Sequence, residues 1–349
     1  MREPVQRVAA LVIASSLVAA AGCTKKSAEG GGADQPKPNP NETGGSGSPL
    51  VTNSATTGGT GESGTPIPVI DCAAVPDEPI SVTELAAPRG YHDVAFDQDG
   101  WLIGSDNSSL IKVMTDGTWQ VFVPNMGVVQ GMDWLPNGDL AVARDSDGSL
   151  VRVTPAGGSS VITTDVHAYG VIVGPDGTVY VANTVAGKVQ RVDPDTGAKT
   201  VLINEPGLTP RVVNFSPDFT KLYIGTLYGD GKVYVVDLDA NLDPMGSPTV
   251  FARDVGTGDY HDSLGVDACG NLYISDYSTS DLYRITPDGE SSRYHAFSHK
   301  TYGHGLEWGS GIGGWNGNAV YLPQPYDLNT VVEVDVGVPS RTVVAPPWP

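Results

Sequence analysis

Short apolar stretches alternate with polar turns from about residue 90 to the C-terminal region, and the pattern recurs six times. In one copy, the apolar residues 171–173 and 179–182 flank the turn Gly174-Pro175-Asp176-Gly177. Four other copies surround the turns at 97–100, 135–138, 216–219 and 267–270, and a degenerate sixth contains the glycine-rich stretch 309–314. Apolar strands joined by Asp-Gly or Asn-Gly turns predict β-hairpins.

The copies follow one another at intervals of about 40 residues, which is typical of a β-propeller. Further strand-like segments follow each hairpin, such as 110–114 and 119–123 in the first copy. We therefore predict an all-β fold, a six-bladed β-propeller with four-stranded antiparallel blades. Either 80–85 or 341–344 could supply the outer strand of the last blade. We favour 80–85, with the C-terminal segment adding to that blade or lying beside it.

The N-terminal region predicts export. Residues 8–21 are apolar and follow Arg2 and Arg7, a pattern that is too short to span a bilayer and typical of a secretory signal. The run ends at Ala20-Ala21-Gly22-Cys23, which resembles a bacterial lipobox with Cys23 as the lipidated residue. The alternative is an ordinary signal peptide in which Cys23 is incidental.

Three regions follow: a lipoprotein signal (1–23), a Gly/Ser/Thr/Pro tether without a fold (24–66), and the propeller (67–349). We expect a protein anchored by lipid in the bacterial envelope. The outer membrane is favoured because Thr24, and not aspartate, follows Cys23.

The remaining cysteines, Cys72 and Cys269, would meet an oxidising compartment and are predicted to form one disulfide. Two buried thiols are the alternative. The net charge of −20 argues against nucleic acid or an anionic lipid surface as a direct partner, so the membrane is contacted through the lipid alone.

The register of the repeats predicts two rings of polar side chains. The inner strand of every blade begins at the same face, here called the mouth, and the residue eight positions before each turn glycine should lie there. These residues are His92, Gln130, Tyr169, Arg211, Asp262 and His304. The ends of the second strands form a wider ring of Asp106, Arg144, Asn183, Thr226, Asp276 and Gln324.

Two kinds of chemistry are suggested by these rings. His92, His304 and Asp262 belong to adjacent blades and could form a catalytic base with its carboxylate, or bind a divalent metal. Arg211 and Arg144 could grip a carboxylate or phosphate. The predicted ligand-binding set is Arg211, Arg144, Tyr169, Gln130, Asp106, Asn183 and Asp276. Alternatively, these groups pair with one another across a wet channel.

One turn deeper, Asp133, Asn214 and Glu307 come from alternate blades and could hold Ca²⁺. Ordered water is the alternative there. Two loops that lead to the mouth, with Tyr260-His261 and His299-Lys300-Thr301-Tyr302, could line a pocket. Ordinary surface residues are the alternative.

Residues 262–274 resemble the Asp-Gly-x-x-x-Asp-x-x-Gly-x-Leu-Trp/Tyr segment of the gluconolactonase/regucalcin-like (NHL-like) six-bladed propellers. The resemblance extends over about residues 85–335. It implies that Asp262 is a metal ligand and base. The other ligands of the family, a glutamate and two asparagines, would fall on His92, Tyr169 and Arg211, so the resemblance implies a degenerate metal site.

We therefore favour a monomeric binding module that takes a polar or anionic small molecule, or an envelope protein, at the mouth. The alternative is a Ca²⁺- or Mg²⁺-dependent lactone or ester hydrolase, or a lyase, of the gluconolactonase-like type with its site at the mouth.

Overall fold

The computed structural model describes residues 70–86, 92–228, 230–256, 260–297, 305–324 and 330–341. Their strands form six four-stranded antiparallel sheets, so the predicted six-bladed propeller is confirmed. The predicted signal (1–23) with Cys23, the predicted tether (24–66) and His304 lie outside the described residues.

The first three blades are built from consecutive strands that run from the channel outward. Blade one contains β2 (Ala95–Phe96), β3 (Leu102–Ser105), β4 (Leu110–Val113) and β5 (Trp119–Val123). Blade two contains β6 (Val129–Trp134), β7 (Leu140–Arg144), β8 (Ser149–Val153) and β9 (Ser159–Thr163). Blade three contains β10 (Ala168–Val173), β11 (Val179–Asn183), β12 (Lys188–Val192) and β13 (Lys199–Ile203).

The last three blades include one strand from the N-terminal end of the domain. Blade four contains β14 (Pro210–Phe215), β15 (Lys221–Thr226), β16 (Val233–Asp237) and β17 (Thr249–Ala252). Blade five contains β18 (Gly265–Val266), β19 (Leu272–Asp276), β20 (Asp281–Ile285) and β21 (Ser291–Ala296). Blade six contains β22 (Glu307–Trp308), β23 (Ala319–Gln324), β24 (Thr330–Asp335) and the outer strand β1 (Ser81–Ala86). Short 3₁₀ turns lie at Cys72–Ala74 and Asp145–Asp147.

The turns between the first and second strands of each blade explain the recurring Asp-Gly signature. In blade five, Asp267 accepts backbone hydrogen bonds from Cys269 (2.9 Å) and Asn271 (2.8 Å), and Gly270 has a φ of +85° that glycine adopts at little cost. In blade four, Phe219 takes this left-handed position with a φ of +58°. These turns define the face opposite the mouth, here called the turn face.

The core consists of six apolar clusters, each packed between two consecutive blades. The cluster between blades six and one closes the ring. There, Phe96 packs edge-to-face against Trp315 (5.2 Å) and Tyr321 (5.1 Å), and the Trp315 indole donates a hydrogen bond to the Gly100 carbonyl at 2.7 Å. Because every blade buries both faces, the inner strands are held in a fixed register around the axis.

The favoured closure of the seam is confirmed, because β1 pairs with β24 over six residues. Of the C-terminal segment 341–344, only Arg341 lies among the described residues, and it does not add to blade six as expected. It lies on the turn face of blade five, where Ser340 bridges Asp267 and the Arg341 amide donates to the Val266 carbonyl at 3.0 Å. Arg341 is drawn there by the channel carboxylates described below.

The predicted disulfide joins Cys72 to Cys269, with their Cα atoms 5.5 Å apart and 197 residues apart in sequence. It fixes the start of the domain to the turn of blade five. Within the described part of the chain, no helix has the length and apolar character needed to cross a membrane.

Candidate functional site

A cavity of about 410 Å³ opens at the mouth. Four of the six residues predicted for this ring line it: His92, Gln130, Tyr169 and Arg211. Below it, the channel contains a smaller cavity of about 50 Å³, with Asp262 in its wall. The register of the repeats therefore placed these side chains correctly, while their roles stay predictions.

β-Bulges in the inner strands direct three of these side chains into the mouth. The pairing of β6 with β7 shifts between Val129 and Met132, around Gln130, and equivalent shifts surround Tyr169 in β10 and Arg211 in β14. Bulges reorient side chains in this way near functional sites. Gly170 permits the close approach of the next blade, since a Cβ there would lie 2.8 Å from the Cα of Val212.

A buried ion pair forms the floor of the cavity. The Arg211 Nε donates to Asp262 Oδ1, and the guanidinium carbon lies 3.5 Å from the ring centroid of Tyr169. The Tyr169 hydroxyl also hydrogen-bonds to Asp262. Burial raises the pKa of Asp262 while Arg211 lowers it, and burial raises the pKa of Tyr169, which keeps the phenol neutral.

This pair bears directly on the metal chemistry that the resemblance implies. Asp262 is 1% exposed and already contacts a cation, the Arg211 guanidinium. His92 hydrogen-bonds through Nε2 to Asn107 at 2.9 Å, and burial lowers its pKa. In the described ranges, no three histidine, cysteine, aspartate or glutamate side chains are grouped closely enough to hold a metal ion. The described residues therefore do not fit the divalent metal of that family, and His304 is not placed.

The wider ring has a structural explanation for its polarity. Asp106, Asn183 and Asp276 each accept a backbone hydrogen bond from the turn that follows their strand, at 2.7–2.9 Å. Such side chains close turns that the backbone alone leaves unsatisfied. The ring therefore lies at the mouth face, but these three side chains bond to their own turns.

Arg144, in the wider ring, also forms an ion pair within its own blade. Its guanidinium pairs with Asp147 at 2.5 Å, and Arg144 is absent from the cavity lining. Arg144 and Arg211 are therefore not brought together to grip one anion, as the sequence suggested, because their guanidinium groups pair with different carboxylates.

The sequence reasoning missed most of the aromatic wall on the side of blades four and five. Tyr260 and Tyr277 line the cavity with their rings 5.4 Å apart, and the Tyr228 hydroxyl hydrogen-bonds to that of Tyr260 at 3.0 Å. The buried His261 ring fixes this loop, since it contacts the Thr226 amide (3.2 Å) and the Val255 carbonyl (3.1 Å). Tyr277 follows the end of β19, a position that repeat spacing alone does not mark.

His167, Asp145, Thr184 and Val185 complete the opposite rim, together with Ala168. His167 has a φ of +38°, and its ring covers Gly148 so closely that a side chain at Gly148 would collide with it. A non-glycine residue in the left-handed region is held there by the contacts of the surrounding structure. Such residues are often found at functional sites. In the sequence, only the position of His167 in the loop before β10 pointed to the rim.

Carboxylates surround the narrow channel below the mouth. Asp93 accepts a hydrogen bond from the Met132 amide (2.8 Å) and Asp133 from the Val173 amide (2.6 Å), so each links its blade to the next. Burial raises the pKa of Asp133 to about 6, and burial together with Asp133 raises that of Glu307 to about 8.

Arg341 enters this acidic region from the turn face. Its guanidinium donates to the Asn214 side chain and to the Phe215 carbonyl (2.9 Å), and burial lowers its pKa to about 10 against the opposing effect of Asp133 and Glu307. A guanidinium from the chain itself thus lies beside the three positions where the sequence suggested Ca²⁺ or water.

Comparisons with known proteins agree with this architecture. No protein-family model matches the chain, and no curated protein is significantly similar to it. A gluconolactonase from Xanthomonas campestris superposes with a TM-score of 0.60 at 15% identity, covering 72% of this chain and 87% of the other. The calcium-binding protein regucalcin from Agrobacterium tumefaciens gives 0.59 at 17% identity, covering 74% and 94%. The likeness is one of fold.

A third structure with the same fold is an auxiliary nutrient binding protein from Bacteroides thetaiotaomicron, with a TM-score of 0.58 at 12% identity over 71% of this chain and 69% of the other. The resemblance noted in the sequence is therefore confirmed as a shared propeller architecture. Proteins that share it differ in what they do, so the function must be argued from the site.

Proposed function

We propose that this protein is an exported binding module that holds a small molecule in its mouth cavity. A concave site of about 410 Å³ falls within the range of small-molecule pockets, about 300–1,000 Å³. Its wall combines tyrosine rings with a few polar groups fixed by hydrogen bonds, which is the composition expected of such pockets. Positioned loops on a rigid scaffold are the usual carriers of binding function.

The pairing of Arg211 with Asp262 is the observation that favours binding over the gluconolactonase-like alternative. That chemistry needs Asp262 as a metal ligand and base. Asp262 already accepts hydrogen bonds from a buried guanidinium and a phenol, and a second cation beside Arg211 would be repelled. A nutrient-binding protein with this fold supports the same proposal.

The export part of the proposal rests on the sequence. Lipid on Cys23 would anchor the chain in the envelope, and residues 24–66 would separate the propeller from the membrane. Cys23→Ser should move the protein from the membrane fraction to the soluble fraction. An unchanged distribution would contradict the anchor.

Blocking the cavity tests the binding proposal. Val185 is 78% exposed at the rim, so Val185→Arg should fill the opening without disturbing the core. Val161→Arg is the matched control, since Val161 is 52% exposed on the outer strand β9. In a small-molecule screen by thermal shift, we expect hits that Val185→Arg abolishes and Val161→Arg retains.

A parallel screen of lactones and esters, with and without Ca²⁺ or Mg²⁺, tests the alternative. We expect no metal-dependent turnover. Turnover that is lost in both Asp262→Asn and His304→Ala would overturn the binding proposal and establish the predicted catalytic group.

A further inference from the structure

The charged groups in the mouth cavity restrict which class of ligand it can bind. Arg211 is the one lysine or arginine among the described lining residues, and its charge is compensated by Asp262. The rim adds the carboxylate side chain of Asp145, and burial lowers the pKa of His92, which disfavours its cationic form. A carboxylate or phosphate would therefore meet no uncompensated cation in this part of the structure.

The aromatic wall offers flat, rigid surfaces. Tyr260 and Tyr277 meet edge-to-face, and the hydroxyl bond from Tyr228 fixes the first of them (5.3 Å between the rings of Tyr228 and Tyr260). Tyrosine provides a large contact area with little conformational freedom to lose. Such a wall is preorganised to hold the face of a ring.

A hydrogen-bond acceptor is left unused between the two cavities. Gln130 lines both the mouth and the channel, and its Oε1 is buried with no hydrogen-bond partner among the described residues. A buried acceptor without a partner is energetically unfavourable. A ligand hydroxyl that donates to Oε1 would remove this penalty, whereas an apolar ligand would leave it.

On the basis of the proposed function, we infer that the mouth binds a neutral, polyhydroxylated ring of the pyranose type, packed against Tyr260 and Tyr277 with a hydroxyl donated to Gln130. The C–H face of such a ring matches the tyrosine wall. Its hydroxyls can both donate and accept, as the mixed rim of Asp145, His167 and Thr184 requires.

Titration calorimetry on the mature chain tests the inference with defined probes: methyl pyranosides of glucose, galactose and mannose, and their disaccharides. Gluconate and glucose 6-phosphate are the anionic counterparts, and indole is the ring without hydroxyls. We expect at least one neutral pyranoside to bind, and to bind more tightly than any anionic probe or indole.

Variants test the assigned contacts. Tyr260→Ala and Tyr277→Ala should each weaken binding about tenfold, while Tyr260→Phe should retain it because the ring face remains. Gln130→Met removes the acceptor and should also weaken binding about tenfold. The matched control is Gln120→Met on the exposed outer strand β5, which should leave affinity unchanged.

Two further outcomes separate this inference from the proposed function. Tighter binding of an anion or of indole, or hits confined to other compounds that Val185→Arg abolishes, would overturn the ligand class and leave the binding module intact. Absence of any compound whose binding depends on Val185 would overturn both.

Discussion

Replacing Glu307 by glutamine should make the protein less sensitive to alkaline pH. In the unfolded chain this carboxyl ionises near 4.5, whereas burial and the neighbouring Asp133 raise its pKa to about 8 in the folded protein. Between these values the unfolded state has released a proton that the folded state still holds. The free energy of unfolding therefore falls as the pH rises from about 4.5 to 8, and levels off above.

The magnitude follows from the size of the shift. At about 1.4 kcal/mol per pKa unit, the full displacement corresponds to about 5 kcal/mol, of which about 3 kcal/mol accumulates between pH 5.5 and pH 8. Glutamine has nearly the same shape as a protonated glutamate and cannot ionise. Its stability relative to wild type should therefore rise by about 3 kcal/mol over that interval.

Urea unfolding at pH 5.5 and pH 8 measures this difference, with Glu84→Gln on β1 as the control at an exposed strand position. Asp93 and Asp133 titrate in the same direction and are present in both proteins, whereas the pKa of Arg341, about 10, lies above this pH interval. Parallel stability curves for wild type and Glu307→Gln would show that the carboxyl is ionised throughout and refute the reasoning.

Three further predictions concern stability. Cys72→Ser releases a loop of 197 residues and should cost about 5 kcal/mol in denaturant unfolding, and reduced wild type should match it. Asp262→Ala leaves the Arg211 guanidinium buried without its counter-charge and should cost about 3–5 kcal/mol, much of which an added Arg211→Met should restore; no recovery in the double variant would contradict this account. Gly256→Ala would force a Cβ into the Asp276 carboxylate at a φ of +70°, and should lower the free energy of unfolding by about 3 kcal/mol; an unchanged midpoint would argue against that contact.

Local chemistry was enough to predict the blades. Apolar strands and Asp-Gly turns act within a few residues of one another, and their spacing fixed which side chains reach the mouth, as His92 and Arg211 illustrate. The disulfide followed from counting cysteines, and β1 from the need to complete the last blade.

Long-range electrostatic interactions and the geometry of loops could not be predicted from the sequence pattern. Arg341 precedes a strand-like sequence, and its position depends on carboxylates more than 30 residues away in the chain, such as Glu307. Likewise, the polarity of Asp106 and Asp276 suggested a ligand site, whereas each side chain bonds to its own turn. Tyr277 reaches the cavity from a loop, and periodicity carries no information on where a loop points.

The disulfide at the start of the domain also has a mechanical consequence. Cys72 precedes β1, so tension applied to the chain ahead of Cys72 passes through the covalent bond to Cys269 in blade five. The six paired residues of β1 and β24 are then shielded from being pulled apart one after another. A propeller held by its N-terminal end would resist unzipping at its seam until that bond is reduced.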